Sequence, residues 1–406
     1  MSSVEAYQQS DPLVGAVLDG RYHVEAMIAT GGMSAVYRGL DLRLDRPVAL
    51  KIMDSRYAGD NQFLTRFQRE ARTVARLKDP GLVAVYDQGI DGQHPFLVME
   101  LIEGGTLREL LRERGPMPPH AVAAVLRPVL SGLAVAHRAG LVHRDIKPEN
   151  VLISDDGDVK IADFGLVRAV AEAKITSTSV ILGTAAYLSP EQVGTGDAGP
   201  RSDVYSVGIL AYELLTGVTP FTGDSALAVA YQRMDTDVSP PSKVIAGVPA
   251  QFDDLVLQAT SREPADRYAD AQDMGAELDA IVAELGLPTY RVPAPRNSAQ
   301  HLSAALHHSR AQAQEATTAT VARPPAPPVL APRQHTRELT RDDWQPQQPE
   351  YEPVSGQFAG IDLDEFYMAR QRAQRALLFW VVAVLTLTGL IAAVAWTLGG
   401  NIGNLI

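Results

Sequence analysis

Three hydrophobic patterns follow one another along the 406-residue chain. Up to about residue 285, short apolar runs alternate with amphipathic stretches. Val48-Ala49-Leu50 is a brief run that ends in Lys51 and reads as a β-strand. Phe63, Phe67, Ala71 and Val74 recur at helical spacing and predict an amphipathic helix. Leu97-Val98-Met99 runs into Glu100-Leu101-Ile102-Glu103-Gly104-Gly105, the pattern of a buried strand that becomes a connector. Strand-like runs come early and helical stretches later. That order predicts an α+β domain with a small β-rich lobe joined to a larger helical lobe.

Beyond Gly286 the pattern dissolves. His301 to Thr320 is rich in Ala, Gln, Ser and Thr, a proline-rich run starts at Ala322, and Asp342 to Gly360 is polar. Such composition cannot bury enough apolar surface to offset the entropy of ordering, so a flexible linker is expected. The proline run reads as an extended spacer. Leu377–Leu398 then gives 22 residues without a charge. As a helix it would be roughly 33 Å long, enough to cross a bilayer core. The expected divisions are residues 1–17 as an N-terminal extension, 18–285 as the two-lobed domain, 286–376 as linker, 377–398 as a transmembrane helix and 399–406 as a short tail.

Charge orients that helix. Arg370, Arg372 and Arg375 precede it, Trp380 and Trp396 lie near its ends, and the tail carries no charged side chain. By the positive-inside rule the N-terminal side faces the cytoplasm, which predicts a single-pass protein with its folded domain inside and its tail outside. Residues 1–20 are polar and lack the apolar core of a signal peptide. A net charge of −12 argues against general nucleic-acid binding, and the absence of cysteine excludes disulfides and thiolate metal sites.

The densest chemistry lies in His143-Arg144-Asp145-Ile146-Lys147-Pro148-Glu149-Asn150, followed by Asp163-Phe164-Gly165. This is the set that phosphoryl transfer from a metal-bound nucleotide requires. One carboxylate, Asp145, would orient the attacking hydroxyl and accept its proton, and the ammonium of Lys147 would neutralise the migrating group. Asn150 and Asp163 would hold the metal ions. The wording resembles the catalytic loop and the Asp-Phe-Gly motif of the protein-kinase family.

That resemblance organises the upstream half. Lys51 would pair with the nucleotide phosphates, held by a Glu from a helix. The candidate is Glu70, which lies off the apolar stripe of the Phe63–Val74 segment; by itself that position fits a solvated face. Ile28-Ala29-Thr30-Gly31-Gly32-Met33-Ser34-Ala35-Val36 is similar to the glycine-rich loop over the phosphates. It departs from the family pattern, with Ala29 and Ser34 in place of the first and third glycines. Those residues can form the same hairpin where φ stays negative. Val36 and Ala49 would enclose the adenine. Met99 would back the pocket, and the backbones of Glu100 and Ile102 would meet the adenine edge.

The segment from Asp163 to Glu191 carries Thr176, Ser177, Thr178, Ser179 and Thr184. It reads as a surface loop, closed by Ser189-Pro190-Glu191 in the manner of the family's Ala-Pro-Glu motif. Arg144 is the kind of residue that pairs with a phosphorylated loop, so autophosphorylation is expected, with Thr176 and Thr178 as the sites. Lys147 together with Thr184 before Tyr187 matches the serine/threonine subclass, with Thr184 on the substrate platform. Asp203 would brace the catalytic loop from a buried helix, and Arg267 would pair with Glu191.

The arrangement resembles the membrane-type, eukaryotic-like serine/threonine kinases of actinobacteria, in a short form without external sensor repeats. The resemblance implies ATP with Mg²⁺ or Mn²⁺, protein substrates bearing Ser or Thr, and back-to-back pairing of the small lobes into a homodimer. The competing readings are a catalytically weak pseudokinase scaffold and a small-molecule phosphotransferase. The presence of Lys51, Asp145 and Asp163 opposes the first, and the Ser189-Pro190-Glu191 platform opposes the second.

Overall fold

A computed structural model describes residues 11–164, 185–223 and 226–305, with two short paired strands at 357–358 and 361–362. Thr176, Thr178, Thr184 and the Leu377–Leu398 segment lie outside the described residues.

Six strands form the small lobe: β1 (Val17–Leu18), β2 (Tyr22–Thr30), β3 (Ser34–Asp41), β4 (Arg46–Met53), β5 (Val85–Asp91) and β6 (His94–Met99). They pair antiparallel in the order β1-β2-β3-β4-β6-β5. The period-2 alternation of a strand sorts their side chains onto two faces. From β4 and β6, Val48, Leu50, Ile52, Phe96 and Val98 join Tyr22, Val24 and Tyr37 in one apolar cluster. Ala49, Met53, Leu97 and Met99 face the other way, into the main core. Lys51 alternates with the second set, which puts its charge on the face turned toward the rest of the molecule. Helix α1 (Asn61–Val74) packs on that face through Phe63, Phe67, Ala71 and Val74, the four positions that the spacing predicted. Asp60 caps it by accepting the N–H groups of Gln62 and Phe63.

The large lobe is helical. Its members are α2 (Leu107–Arg114), α3 (Pro119–Arg138), α4 (Pro190–Gly194), α5 (Pro200–Thr216), α6 (Ala226–Asp235), α7 (Ala250–Ala259) and α8 (Ala271–Glu284). Helix α3 is the one helix among the described residues long and apolar enough to cross a membrane. It is a core helix, enclosed by α5, α8 and a small sheet. That sheet consists of β7 (Gly104–Thr106), β8 (Val151–Ser154) and β9 (Val159–Ile161), paired in chain order. The catalytic-loop sequence 143–150 therefore runs between α3 and β8.

Two expected boundaries move. Tyr37 donates its hydroxyl to Asp11, and Leu13 and Val14 pack on the outer cluster, so the folded unit begins before residue 18. The flexible linker expected from residue 286 is corrected over 287–305, which lies against the large lobe with Val292, Pro295, Ser298, Gln300 and Ser303 buried. Burial of these scattered positions, rather than a periodic apolar stripe, explains why composition missed it.

Candidate active site

The catalytic-loop side chains converge. Lys147 Nζ lies 2.8 Å from Asp145 Oδ2. Asn150 Nδ2 donates to the Asp145 carbonyl at 2.7 Å and to Oδ2 at 3.1 Å. The 3₁₀ turn Pro148–Asn150 brings the two ends of this segment together. With its amide hydrogens spent on Asp145, Asn150 has its amide oxygen left to accept. Together with the Asp163 carboxylate this is an all-oxygen donor set, which suits a hard cation such as Mg²⁺.

The loop backbone is held in a rare conformation. Arg144 has φ 66° and Asp163 has φ 62°, both in the left-handed region that non-glycine residues avoid. Such strain persists only where the surroundings over-determine it. Here Asp203, fully buried on α5, accepts the N–H groups of His143 and Arg144 at 2.8 Å each. His137 of α3 adds a third bond, from Nε2 to Asp203 at 2.9 Å, while its Nδ1 accepts from Ala271 N. The expected brace is present, and His137 is a partner that sequence reasoning missed. Gln192 of α4 donates to the Arg144 carbonyl.

His143 links the two motifs. Its Nε2 donates to the Ala162 carbonyl at 3.0 Å, its Nδ1 accepts from Asp145 N at 3.3 Å, and its ring lies 4.8 Å from that of Phe164. One donating and one accepting nitrogen define a neutral imidazole. Burial pushes its pKa down, which agrees.

Lys51 is brought to Asp163, not to Glu70. The Nζ–Oδ1 distance is 2.7 Å, and Lys51 is buried. Burial raises the Asp163 carboxyl, but the Lys51 charge and hydrogen bond outweigh it and hold the group below the usual carboxylate range. The expected Lys51–Glu70 pair is not formed in this arrangement. Glu70 is half-buried, rather than on a solvated face, and its pKa is raised by burial despite Arg144, Arg69 and Arg66 nearby. It lines a cavity of about 300 Å³ with Arg69, Val74, Leu141, Arg144 and Phe164. Side chains of α1 and of the catalytic-loop segment thus face one another across that cavity.

The glycine-rich region folds as the turn between β2 and β3. Ala29 pairs with Val36 and Thr30 with Ala35, and Gly31 N donates to Ser34 O at 2.8 Å. Ala29 and Ser34 both keep negative φ, so their departure from glycine costs no backbone strain. Asp54 N donates to Met33 O, and Arg56 reaches the Gly32 carbonyl, so the short 3₁₀ turn Ser55–Tyr57 latches the loop tip. Ala49 stands opposite Met99 in the register, and Lys51 opposite Leu97. After Met99 the chain leaves the sheet. Glu100 N donates to Ala84 O, and the Glu100 carboxylate pairs with Lys160 of β9 at 2.7 Å. Lys160 escaped the sequence reading because a lone Lys on a short strand carries no local signal.

Farther from the loop, Glu191 and Arg267 pair as expected, at 2.8 and 2.9 Å through two nitrogens, with the Arg267 side chain fully enclosed. Arg108 of α2 donates to Glu149, Glu213 and the Tyr187 hydroxyl, a cluster that joins α2, the catalytic loop and α5.

The protein kinase domain family matches residues 22–277. The serine/threonine-protein kinase PknL of Mycobacterium tuberculosis (strain ATCC 25618 / H37Rv) is 69% identical over 402 residues, covering 98% of each chain. The kinase PrkC of Bacillus subtilis (strain 168) is 40% identical over 266 residues, 66% of this chain and 41% of its own. The kinase domain of Mycobacterium tuberculosis PknI superposes with a TM-score of 0.52 at 26% identity, covering 66% of this chain and 98% of that domain. These relatives lend nothing to the scaffold reading. Sequence, fold and loop geometry agree that this chain belongs to the protein kinase family, as an ATP-using serine/threonine protein kinase.

Proposed function

We propose that the chain is a membrane-anchored kinase that transfers the γ-phosphoryl group of ATP to serine and threonine hydroxyls of proteins and activates itself by phosphorylating Thr176 and Thr178. The observation that carries the catalytic part is the junction of Asp145, Lys147 and Asn150 within 3.1 Å, beside a strained backbone that Asp203 holds.

Asp145 orients the acceptor hydroxyl and takes its proton as the oxygen bonds to phosphorus and the bond to the ADP oxygen breaks. Lys147, already drawn to Asp145, offsets charge on the transferring group. Lys51 binds nucleotide phosphates, and Glu70 holds it during turnover. The loop Ile28, Ala29, Thr30, Gly31, Gly32, Met33, Ser34, Ala35, Val36 covers the phosphates, Ala49 contacts adenine, and Glu100 and Ile102 present their backbone to its edge. The Glu100 N–H is already bonded to Ala84, which leaves its carbonyl for that purpose. Asn150 and Asp163 hold Mg²⁺ or Mn²⁺, which when bound neutralises phosphate charge. Thr184 belongs to the substrate platform.

Membrane anchorage rests on the uncharged Leu377–Leu398 segment and the arginines before it. Pairing of small lobes into a homodimer is carried over from the family pattern alone. The test is incubation of the full chain with ATP and Mg²⁺, beside Asp145→Asn, with phosphosites mapped by mass spectrometry. Phosphate at Thr176 or Thr178 in the wild type only is expected. Equal transfer by Asp145→Asn would remove Asp145 as proton acceptor.

A further inference from the structure

The segment after α8 lies outside the matched family region, 22–277, yet it is built into the domain. Gly286, at φ 59°, turns the chain, and Pro288, Pro293 and Pro295 keep the following stretch extended. Arg291 Nε donates to the Asp156 carbonyl at 2.6 Å in the turn between β8 and β9. A Cβ at Gly157 would stand 2.9 Å from the Val292 carbonyl, so the two backbones touch there. Val292 is only 2% exposed. Tyr290 meets the His120 ring edge-on at the start of α3.

Farther along, the strap reaches the exit of the connector between the lobes. Pro295 and Ser298 pack on Gly105, where a Cβ would come within 2.4 Å of Pro295 Cγ and 2.6 Å of Ser298 Cβ. Ser298, fully buried, donates its hydroxyl to the Gly104 carbonyl and accepts from His301 N at 3.0 Å, capping a helical turn over 299–305. Glu109 joins that turn to α2: one carboxylate oxygen accepts from Ala299 N at 2.8 Å and the other from Thr106 N at 2.7 Å. Arg296 N donates to Glu113, and His301 meets Asp155 at 3.0 Å.

Gly104 follows the Glu100–Glu103 connector directly, and β7 pairs with β8, the strand that begins right after Asn150. The Asp155 N–H also donates to the Glu103 carbonyl at 2.7 Å. The strap thus clamps the one strand that joins the connector to the catalytic loop.

We infer that residues 287–305 are a working part of the nucleotide site: Ser298 is a positioning residue that, through Gly104, fixes the connector whose backbone receives adenine. The inference rests on the reading of Glu100 and Ile102 as that connector. It implies that ATP affinity depends on the linker's attachment, so the linker is mechanically joined to the nucleotide site.

The test uses the full chain with three changes: Val292→Asp, which buries a charge far from the connector; Ser298→Ala; and replacement of 288–305 by a Gly/Ser run of equal length. Hydrogen exchange reads the strap and residues 100–106, and steady-state kinetics reads ATP and a protein substrate separately. Release of the strap should raise KM for ATP roughly three- to tenfold, as expected for the loss of one or two positioning hydrogen bonds. The kcat at saturating ATP and the KM for the protein substrate should stay within about twofold. A released strap with unchanged KM for ATP, or a loss confined to kcat, would overturn the inference. If the replacement chain fails to fold, the two point variants decide. Ile102→Pro, which deletes the proposed adenine-facing N–H, separates the two readings. If it leaves KM for ATP unmoved while strap release raises it, the connector assignment falls and the strap's influence stands.

Discussion

Lys51 and Asp163 form a 2.7 Å ion pair across the cleft, joining β4 of the small lobe to the second catalytic motif. Both are groups that kinase chemistry directs at the nucleotide and its metal, and here each neutralises the other. Productive binding of nucleotide must separate them or share them. Lys51→Met should therefore lower phosphotransfer by about 100-fold or more, as loss of a preorganised phosphate-binding charge does. Phosphate incorporation into a generic protein acceptor measures it. Near wild-type transfer would contradict the assignment of Lys51 to the phosphates.

Glu70 offers a sharper test, because it touches no cation within ion-pair distance among the described residues. Glu70→Gln should cost about tenfold in kcat, the value of one charge-assisted bond gained in the active arrangement. The same change should move the thermal midpoint by less than about 2 °C, since no resting contact is lost. An unchanged kcat would mean that α1 never delivers Glu70 to Lys51.

Asp203→Ala should be among the most damaging single changes. It strips the partner from the buried His143 N–H, the half-buried Arg144 N–H and His137, and removes what holds Arg144 at φ 66°. A loss of about 3–5 kcal/mol is expected from chemical denaturation, by analogy with breaking a buried ionic contact. A loss below about 1 kcal/mol would show that the strained turn is self-supporting.

Arg267, enclosed, and its partly exposed partner Glu191 should behave as a coupled unit. Burial raises the Glu191 carboxyl, while Arg267 and Ser202 pull it down further, so the net direction is downward. Arg267→Met should destabilise by up to about 3 kcal/mol, the low end for a buried pair, because the Glu191 carboxylate is 20% exposed and keeps Ser202 as a partner. The double change Arg267→Met with Glu191→Leu should recover part of that loss in a double-mutant cycle. Strict additivity would rule out direct coupling.

Acid sensitivity follows from His143. Its folded pKa lies below the ordinary 6.5, so between those two values the unfolded chain binds a proton that the folded chain does not. Its contribution to stability is complete above pH 6.5 and is lost as pH falls toward the folded value, by up to roughly 1.4 kcal/mol per pH unit. His120 shifts in the same direction, also by burial. Asp163, Asp41 and Glu191, all lowered, act only at or below their ordinary values of 3.8 to 4.5. Glu70, raised by burial, works the opposite way above its ordinary value, so the urea midpoint of a chain carrying both His120→Gln and Glu70→Gln should fall between pH 6.5 and 5. A flat profile would mean that His143 is protonated in the fold.

What the sequence determined by itself was local chemistry and local period. His143 to Asn150 packs its donors within eight positions, so the chain's own short reach makes them meet. Phe63, Phe67, Ala71 and Val74 had only one way to face a core. The two-residue period of a strand puts Ala49 and Lys51 of β4 on one face whichever strand pairs with it. What the tertiary structure decided were relations between elements far apart in the chain. Whether Lys51 meets Glu70 or Asp163 depends on the placement of α1 against the catalytic loop, which no spacing encodes. The support of Asp203 by His137 needs α3, α5 and α8 packed together. The docking of 287–305 was illegible because prolines and small polar residues carry no hydrophobic period; their burial is made favourable by backbone carbonyls and carboxylates that only the folded large lobe presents.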